Sequence, residues 1–150
     1  MKPLLVLLVS FVLALVTLML LTGYYKTALA ARIGMSAMLL FTAIGHFAFT
    51  TGMVMMVPEI VPFKKMVVYL TGIFEIIVAA CLLIEFTRVL TGYILVVFLV
   101  LMLPANINAA VKKVDFQKAD HNGEGLAYLW FRLPLQIFFI AWTYFAAIKP

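Results

Sequence analysis

Long uninterrupted runs of apolar residues dominate the chain, and polar residues are concentrated in short stretches between them. A helix needs about 20 residues, with a lower bound of about 17, to cross the roughly 30 Å hydrocarbon core of a bilayer. Five runs reach that length, so the pattern predicts an all-α membrane protein in which a four-helix transmembrane bundle is joined by an additional N-terminal transmembrane helix. The predicted helices cover about residues 4–21, 34–57, 66–84, 89–107 and 126–148.

The first run precedes Ala28-Leu29-Ala30, which resembles the cleavage site of a signal peptide. The apolar core of a signal peptide has about 7–15 residues, whereas residues 4–21 make a run of 18. The length therefore favours a retained helix. We expect it to pack on the outside of the bundle, because Ser10 and Thr17 are its only polar residues, and we expect residues 1–150 to form a single transmembrane domain.

The composition supports a membrane location. Hydrophobic residues make up 67% of the chain and charged residues 11%, whereas soluble domains have about 45–50% and about 25%. The net charge of +5 does not indicate nucleic acid as a partner, because the basic residues occur singly or in pairs at the ends of apolar runs. Residues in that position orient membrane helices. The lipid bilayer is therefore the expected partner.

The distribution of basic residues predicts an orientation. With five spans, the N-terminus, the second loop and the fourth loop share a side that carries six basic residues, against four on the other side. The positive-inside rule then places the N-terminus and the fourth loop in the cytoplasm, at a bacterial inner membrane. The fourth loop, Lys112 to Gly125, is strongly polar. A protein partner is expected at this loop or within the membrane, and a homo-oligomer is an alternative.

Several polar side chains lie at the predicted depth of the membrane, where ionisable groups usually face the bundle interior or pair with one another. From the side shared by the second and fourth loops, Glu75 lies about 13 Å and His46 about 15 Å along its helix. Arg132 lies about 9 Å and Gln136 about 15 Å from the same side, and their i,i+4 spacing puts them on one face. With Asn106 at the end of the fourth helix, these positions predict one polar shaft.

Each of these residues has a structural and a functional interpretation. Glu75 and Arg132 suit a buried ion pair that fixes helix register, or Glu75 carries a proton or anchors a ligand. His46 suits a buried imidazole bonded to Glu75 or to a backbone carbonyl, or takes part in proton transfer or ligand contact. Asn106 caps a helix or lines a pocket. No catalytic residue is assigned, and the candidates for ligand binding or proton carrying are His46, Glu75, Asn106, Arg132, Gln136 and Thr71.

The sequence predicts no metal site and no resident cofactor. Cys81 is the only cysteine, so the chain has no CxxC pair and no iron–sulfur ligand set. Only His46 of the two histidines lies at membrane depth, so one chain cannot supply two axial histidines to a buried haem. Met53, Met55 and Met56 near His46 would suit copper(I), but nine methionines in an apolar chain favour packing.

Motifs in four of the helices resemble those of the DoxX-like family of small integral membrane proteins, over roughly residues 34–150. They are Gly45-His46-Phe47, the segment YLTGIFE that ends at Glu75, PANI at 104–107 and RLPLQ at 132–136. The resemblance implies a four-helix membrane core and an association with membrane redox assemblies that use quinones. It implies no agreed catalytic residue.

Three functions follow as expectations. The first is a membrane subunit of a quinone-linked oxidoreductase, with a polar pocket near the midplane and electrons supplied by a partner. A quinone needs an apolar slot with hydrogen-bonding groups at its two oxygens. The alternatives are a non-enzymatic assembly factor or scaffold, and a binding protein for a small lipophilic ligand.

Overall fold

Helices make up 78% of the computed structural model, which describes residues 2–149 and has no β-strand among them. Five helical segments are long enough and apolar enough to cross a membrane, so the predicted all-α membrane fold with five spans is confirmed. The elements are α1 (Lys2–Thr22), α2 (Thr27–Ala48), α3 (Thr50–Met56), α4 (Lys64–Leu83), α5 (Arg88–Leu101), α6 (Leu103–Val111), α7 (Leu126–Thr143) and a final π-helical turn (Tyr144–Ile148).

The second predicted helix, 34–57, differs from the observed one at both ends. Helix α2 begins at Thr27, so Arg32 lies inside it and is buried. An arginine can lie there because its guanidinium pairs with the Glu85 carboxylate at 2.7 Å. The helix stops at Ala48, and Phe49, with φ −117° and ψ 32°, separates it from α3.

The fourth span is longer than the predicted helix, 89–107, and consists of two helices. Helix α5 ends at Leu101, and α6 follows after Met102 with Pro104 as its second residue. Proline is tolerated in the first turn of a helix, because its missing N–H has no intrahelical partner there. Together the two helices form one candidate span, Arg88–Val111.

Helix α1 packs mainly against α2 and contributes a single side chain, that of Leu7, to the buried core. Leu7 is its only buried residue, while Leu5, Leu13 and Leu20 are more than half exposed. Phe11 meets the ring of Trp142 edge to face, with 5.1 Å between ring centroids. The exposed apolar residues of α1 suit a helix that faces lipid, as the sequence predicts.

The buried core lies between α2, α4, α5 and α7. Its largest fully buried side chains include Met35 and Leu39 of α2, Leu82 of α4 and Leu95 of α5. Phe74 of α4 packs on Phe98 of α5, with 4.7 Å between ring centroids. This core fixes the relative positions of the helices that carry the candidate site.

The second and fourth loops meet at one end of the bundle. The Lys112 ammonium lies 2.6 Å from the Glu59 carboxylate, and the Asn108 side chain donates to the Met56 carbonyl at 2.8 Å. The loop after α6 also folds back onto α3, where a Cβ on Gly52 would lie 2.0 Å from the Phe116 carbonyl oxygen. Only glycine fits at that contact. These contacts agree with the alternation of five spans.

Candidate functional site

His46 and Glu75 face each other, 3.6 Å apart, at a place where α2 and α4 approach closely. A Cβ on Gly72 would lie 2.8 Å from the His46 Cβ and 3.2 Å from the Phe47 ring. Small residues allow membrane helices to approach closely. Gly72 therefore lets α2 approach α4 until the imidazole reaches the polar side chains on α4.

Two groups on α4 hold the imidazole by one nitrogen. His46 Nδ1 lies 3.1 Å from the Val68 carbonyl oxygen and 3.1 Å from the Thr71 hydroxyl. The hydroxyl in turn donates to the Val68 carbonyl at 2.9 Å. A carbonyl only accepts, so the hydrogen lies on Nδ1 and is shared between the two oxygens. In the neutral ring, Nε2 then carries the free lone pair.

The free nitrogen faces one oxygen of the Glu75 carboxyl group. Glu75 Oε2 lies 3.6 Å from His46 Nε2, and the two side chains are 9% and 14% exposed. Oε2 is buried and makes no hydrogen bond within residues 2–149. A buried polar atom without a partner is costly. The pair, which we call the His–Glu pair, can therefore accept or release a proton or hydrogen-bond a ligand.

A second polar group lies between α6 and α7. Gln136 donates to the Leu99 carbonyl, and Asn106 donates to the Gln136 side-chain oxygen at 3.3 Å. The Tyr128 hydroxyl donates to the Asn106 oxygen at 3.3 Å. We call Asn106, Tyr128 and Gln136 the amide cluster. Its side chains satisfy one another, as buried polar groups generally do.

The structure therefore divides the predicted shaft into two groups. His46, Thr71 and Glu75 come together in one, and Asn106 and Gln136 in the other. Within residues 2–149, no hydrogen bond or ion pair joins them. Arg132 makes no ion pair with Glu75, whose neighbour is the imidazole instead. The predicted depths suit both groups, but depth does not fix the rotation of each helix about its axis.

Sequence reasoning missed a third polar group, at the other end of the bundle. Arg32, 5% exposed, donates from Nη2 to Glu85 at 2.7 Å. Arg88 donates to the second oxygen of Glu85 and, at 2.5 Å, to the Ala147 carbonyl. The hydrogen bond from Arg32, and to a smaller extent the one from Arg88, lowers the pKa of the Glu85 carboxyl. We call Arg32, Glu85 and Arg88 the arginine cluster.

The sequence carried partial signals for the missed residues. Glu85 and Arg88 stand at i,i+3 spacing, which indicates a local ion pair. Arg32 was assigned to the segment between two apolar runs, so nothing indicated its burial. Tyr128 lies four residues before Arg132 and eight before Gln136. That helical spacing could have placed Tyr128 on the polar face of α7.

Two apolar surface grooves flank the bundle, and the His–Glu pair lines neither. One, of about 380 Å³, lies between α1 and α7 and is lined by residues that include Leu4, Leu8 and Pro134. The other, of about 550 Å³, lies at the start of α4 and is lined by residues that include Tyr69. Phe47 stacks on Tyr69, with 5.9 Å between ring centroids, so these two rings lie between the second groove and the α2–α4 contact.

The described residues contain no group of three or more His, Cys, Asp or Glu side chains that could hold a metal ion. Comparison with curated proteins and with solved structures finds no match for the chain. Residues 35–147, which hold all the residues of the His–Glu pair and the amide cluster, match a family described as Domain of unknown function (DUF8561). The chain belongs to this family, DUF8561.

Proposed function

We propose that this chain is the membrane subunit of a quinone-linked redox assembly, in which the His–Glu pair exchanges protons with the bound quinone. One observation carries the proposal: Glu75 Oε2 is buried, has no hydrogen-bond partner within residues 2–149, and faces the free nitrogen of His46 at 3.6 Å. A group that served only to hold α2 on α4 would be expected to have its oxygens paired. The resemblance to DoxX-like proteins is the reason for naming a quinone.

The residues around the pair fit such a ligand in two respects. Glu75 and His46 offer a hydrogen-bond donor or acceptor to a quinone oxygen, depending on which of them holds the proton. The groove beside Tyr69 provides apolar space of about 550 Å³. Phe47 contacts Gly72 and stacks on Tyr69, so a ring that entered from the groove would have to displace these two side chains to reach the pair.

The chain's own chemistry in this proposal is the handling of protons. Two-electron reduction of a quinone consumes two protons, which the His–Glu pair would pass on one at a time. His46 Nε2 takes a proton from Glu75 or returns one, while Thr71 and the Val68 carbonyl hold Nδ1 in place. With one cysteine and two histidines, the chain relies on a partner subunit for the electrons. We propose the loop 112–125 or the membrane-embedded surface as the place where that partner docks.

The test is whether a quinone bound to the full chain depends on Glu75. The protein is extracted gently from its host membranes, and lipophilic molecules that co-purify are identified by mass spectrometry after denaturation. We expect a quinone in the wild type and a loss of about tenfold or more in Glu75→Gln, since a single charge-assisted hydrogen bond has that order of effect. Glu59→Gln, the same change at an exposed position, should keep the ligand.

Equal quinone content in both variants would contradict the proposal. A different lipophilic molecule that tracks Glu75 would favour the binding-protein alternative, which the groove of about 380 Å³ between α1 and α7 also supports. A stoichiometric protein partner without any small molecule would favour the scaffold alternative. The lipid-facing side of α1, on which only Leu7 is buried, would be the surface for that partner.

We also propose a bacterial inner membrane as the location, with the N-terminus and the loop 112–125 in the cytoplasm. The support is the excess of basic residues on that side. Cysteines introduced singly at Lys118 and at Lys149, in the Cys81→Ser background, test the orientation. A membrane-impermeant thiol reagent added to intact cells should label the second position and spare the first, and the reverse pattern would overturn the orientation.

A further inference from the structure

Arg32 is a buried cation with an incomplete set of hydrogen bonds. Its side chain is 7% exposed, and Nη2 donates to Glu85 at 2.7 Å. The other two nitrogens, Nε and Nη1, are buried and have no acceptor within residues 2–149. A guanidinium carries five N–H donors in a fixed planar fork. Most of that fork lacks an acceptor, although burial makes unpaired donors costly.

Glu85 is a poor match for this fork. Its side chain is 70% exposed, and it divides its two oxygens between two arginines, Oε2 to Arg32 and Oε1 to Arg88. Each arginine therefore receives a single contact from Glu85, whereas a guanidinium binds carboxylate and phosphate best through two parallel hydrogen bonds. Glu85 also lies in the short link between α4 and α5, while Arg32 is fixed within α2. The Glu85 carboxylate is therefore the group of the arginine cluster that can move away from the other two.

The charge at this end of the bundle suits an anion. The arginine cluster holds two positive charges and one negative charge, so its net charge is +1. Lys26, which immediately precedes α2, and Lys149, which follows the π-helical turn, add two exposed positive charges. The cluster lies where α4 ends and α5 begins. In a bilayer the ends of spanning helices lie at the level of the lipid headgroups.

We propose that Arg32 and Arg88 bind a phosphate-type oxyanion, and that Glu85 competes with this ligand for the two guanidinium groups. A lipid headgroup phosphate and free phosphate share this chemistry. The site lies at the opposite end of the bundle from the second and fourth loops, and its existence does not depend on the quinone proposal. Arg32 would bind the oxyanion through two nitrogens once Glu85 moves outward.

The test uses the full chain in detergent after removal of bound lipid, titrated separately with inorganic phosphate and with a short-chain phosphatidic acid. Native mass spectrometry or calorimetry gives the dissociation constants. Glu85→Gln should bind about tenfold more tightly because the competing charge is gone, and Arg32→Lys about tenfold more weakly because the planar fork is lost. Glu59→Gln and Arg132→Lys, the same changes at the other end and on α7, should bind as the wild type does.

The two probes separate the sources of phosphate. Binding of the lipid alone identifies a headgroup site, and binding of both probes identifies a site that also takes free phosphate; either result supports the proposal. Binding of neither probe overturns it. So does a Glu85→Gln variant that binds no more tightly than Glu59→Gln. Arg32→Lys risks misfolding. The comparison of Glu85→Gln with Glu59→Gln tests the proposal even if Arg32→Lys does not fold.

Discussion

The His–Glu pair and the amide cluster are both buried polar groups between packed helices, but their hydrogen bonding differs. In the amide cluster, Gln136 joins Asn106 to the Leu99 carbonyl, and each named side chain has a partner. In the His–Glu pair, Nδ1 of the imidazole is held at two points, while Glu75 Oε2 has no hydrogen-bond partner in the part of the chain that the structure describes. A network whose members are all paired needs no role beyond holding the helices together. A network with an unpaired acceptor leaves that acceptor free for a ligand or a proton.

A change in the amide cluster should lower the free energy of unfolding the most. Gln136→Leu leaves the Asn106 amide without its acceptor and removes one of the hydrogen bonds to the Leu99 carbonyl, which keeps the Met102 N–H as a donor. An unpaired buried group costs about 1–3 kcal/mol. We expect a loss of about 3 kcal/mol in the free energy of unfolding, since the lost hydrogen bond to Leu99 adds to the cost of the unpaired amide. Reversible unfolding in mixed micelles measures it.

Glu75→Gln is the matched change in the other region. It removes a carboxyl oxygen that has no partner and introduces an amide that can donate to His46 Nε2, so the free energy of unfolding should stay unchanged or rise. Asn106→Leu combined with Gln136→Leu should cost less than the sum of the single changes, since neither side chain is then left unpaired. If Glu75→Gln destabilises as much as Gln136→Leu, the distinction between the two regions is wrong.

A smaller loss is expected where α2 and α4 touch. In Gly72→Ala the new methyl group lies 2.8 Å from the His46 Cβ and 3.2 Å from the Phe47 ring, so the helices must separate. Overpacking of this kind costs about 1–3 kcal/mol. The matched control is Gly45→Ala, whose Cβ meets only the flexible end of Met53 at 3.4 Å. Thermal unfolding should separate the two variants, and equal melting temperatures would contradict a close contact at Gly72.

The sequence predicted the spans better than the contacts between them. Apolar run length is a property of one helix, and all five runs correspond to spans. The depths of His46 and Glu75 were likewise read from one helix at a time, and the two side chains do meet. To predict whether Glu75 pairs with Arg132, one must know the rotation of each helix about its axis. The spacing of residues within one helix does not give that rotation. The structure places an imidazole there instead.

The partners that complete these groups could not be predicted either. Val68 and Leu99 contribute only their backbone carbonyls, and any residue type supplies a carbonyl. Arg32 was assigned to a connecting segment because charge usually ends an apolar run, yet α2 continues through it. Its burial depends on Glu85, which lies 53 positions later in the chain. Such long-range compensation is invisible in a local pattern.

Thr71→Val should change the tautomer of His46 with little change in the free energy of unfolding. Its hydroxyl and the Val68 carbonyl share the hydrogen on His46 Nδ1. Thr71→Val removes one of the two acceptors, so the population with the hydrogen on Nε2 should increase, by an amount that corresponds to about 1 kcal/mol for one hydrogen bond. The ¹⁵N chemical shifts of the labelled imidazole report the tautomer. Thr71→Ser, which keeps the hydroxyl, should restore the wild-type spectrum, and an unchanged spectrum in Thr71→Val would show that the carbonyl alone fixes the ring.

The smallest effect is expected at the exposed ion pair between Glu59 and Lys112. The Lys112 ammonium lies 2.6 Å from the Glu59 carboxylate, whose side chain is 80% exposed. The hydrogen bond from Lys112 lowers the pKa of the Glu59 carboxyl below its ordinary value of 4.5, and the charges of Lys112 and Lys64 add to this. A carboxyl whose pKa is lower in the folded state contributes stability above its unfolded pKa. That contribution disappears as the pH falls through the folded value.

Glu59→Gln isolates this contribution from that of Glu85, whose pKa is lowered as well. The wild type should melt slightly above Glu59→Gln at neutral pH, and the difference should vanish as the pH falls below 4.5. Added salt should reduce the difference at neutral pH, because solvent-exposed charges are screened. Glu75→Gln should show no such salt dependence, since its carboxyl is buried. A salt-sensitive Glu75 would mean that water reaches the His–Glu pair, and the contrast between a buried acceptor and an exposed ion pair would then fail.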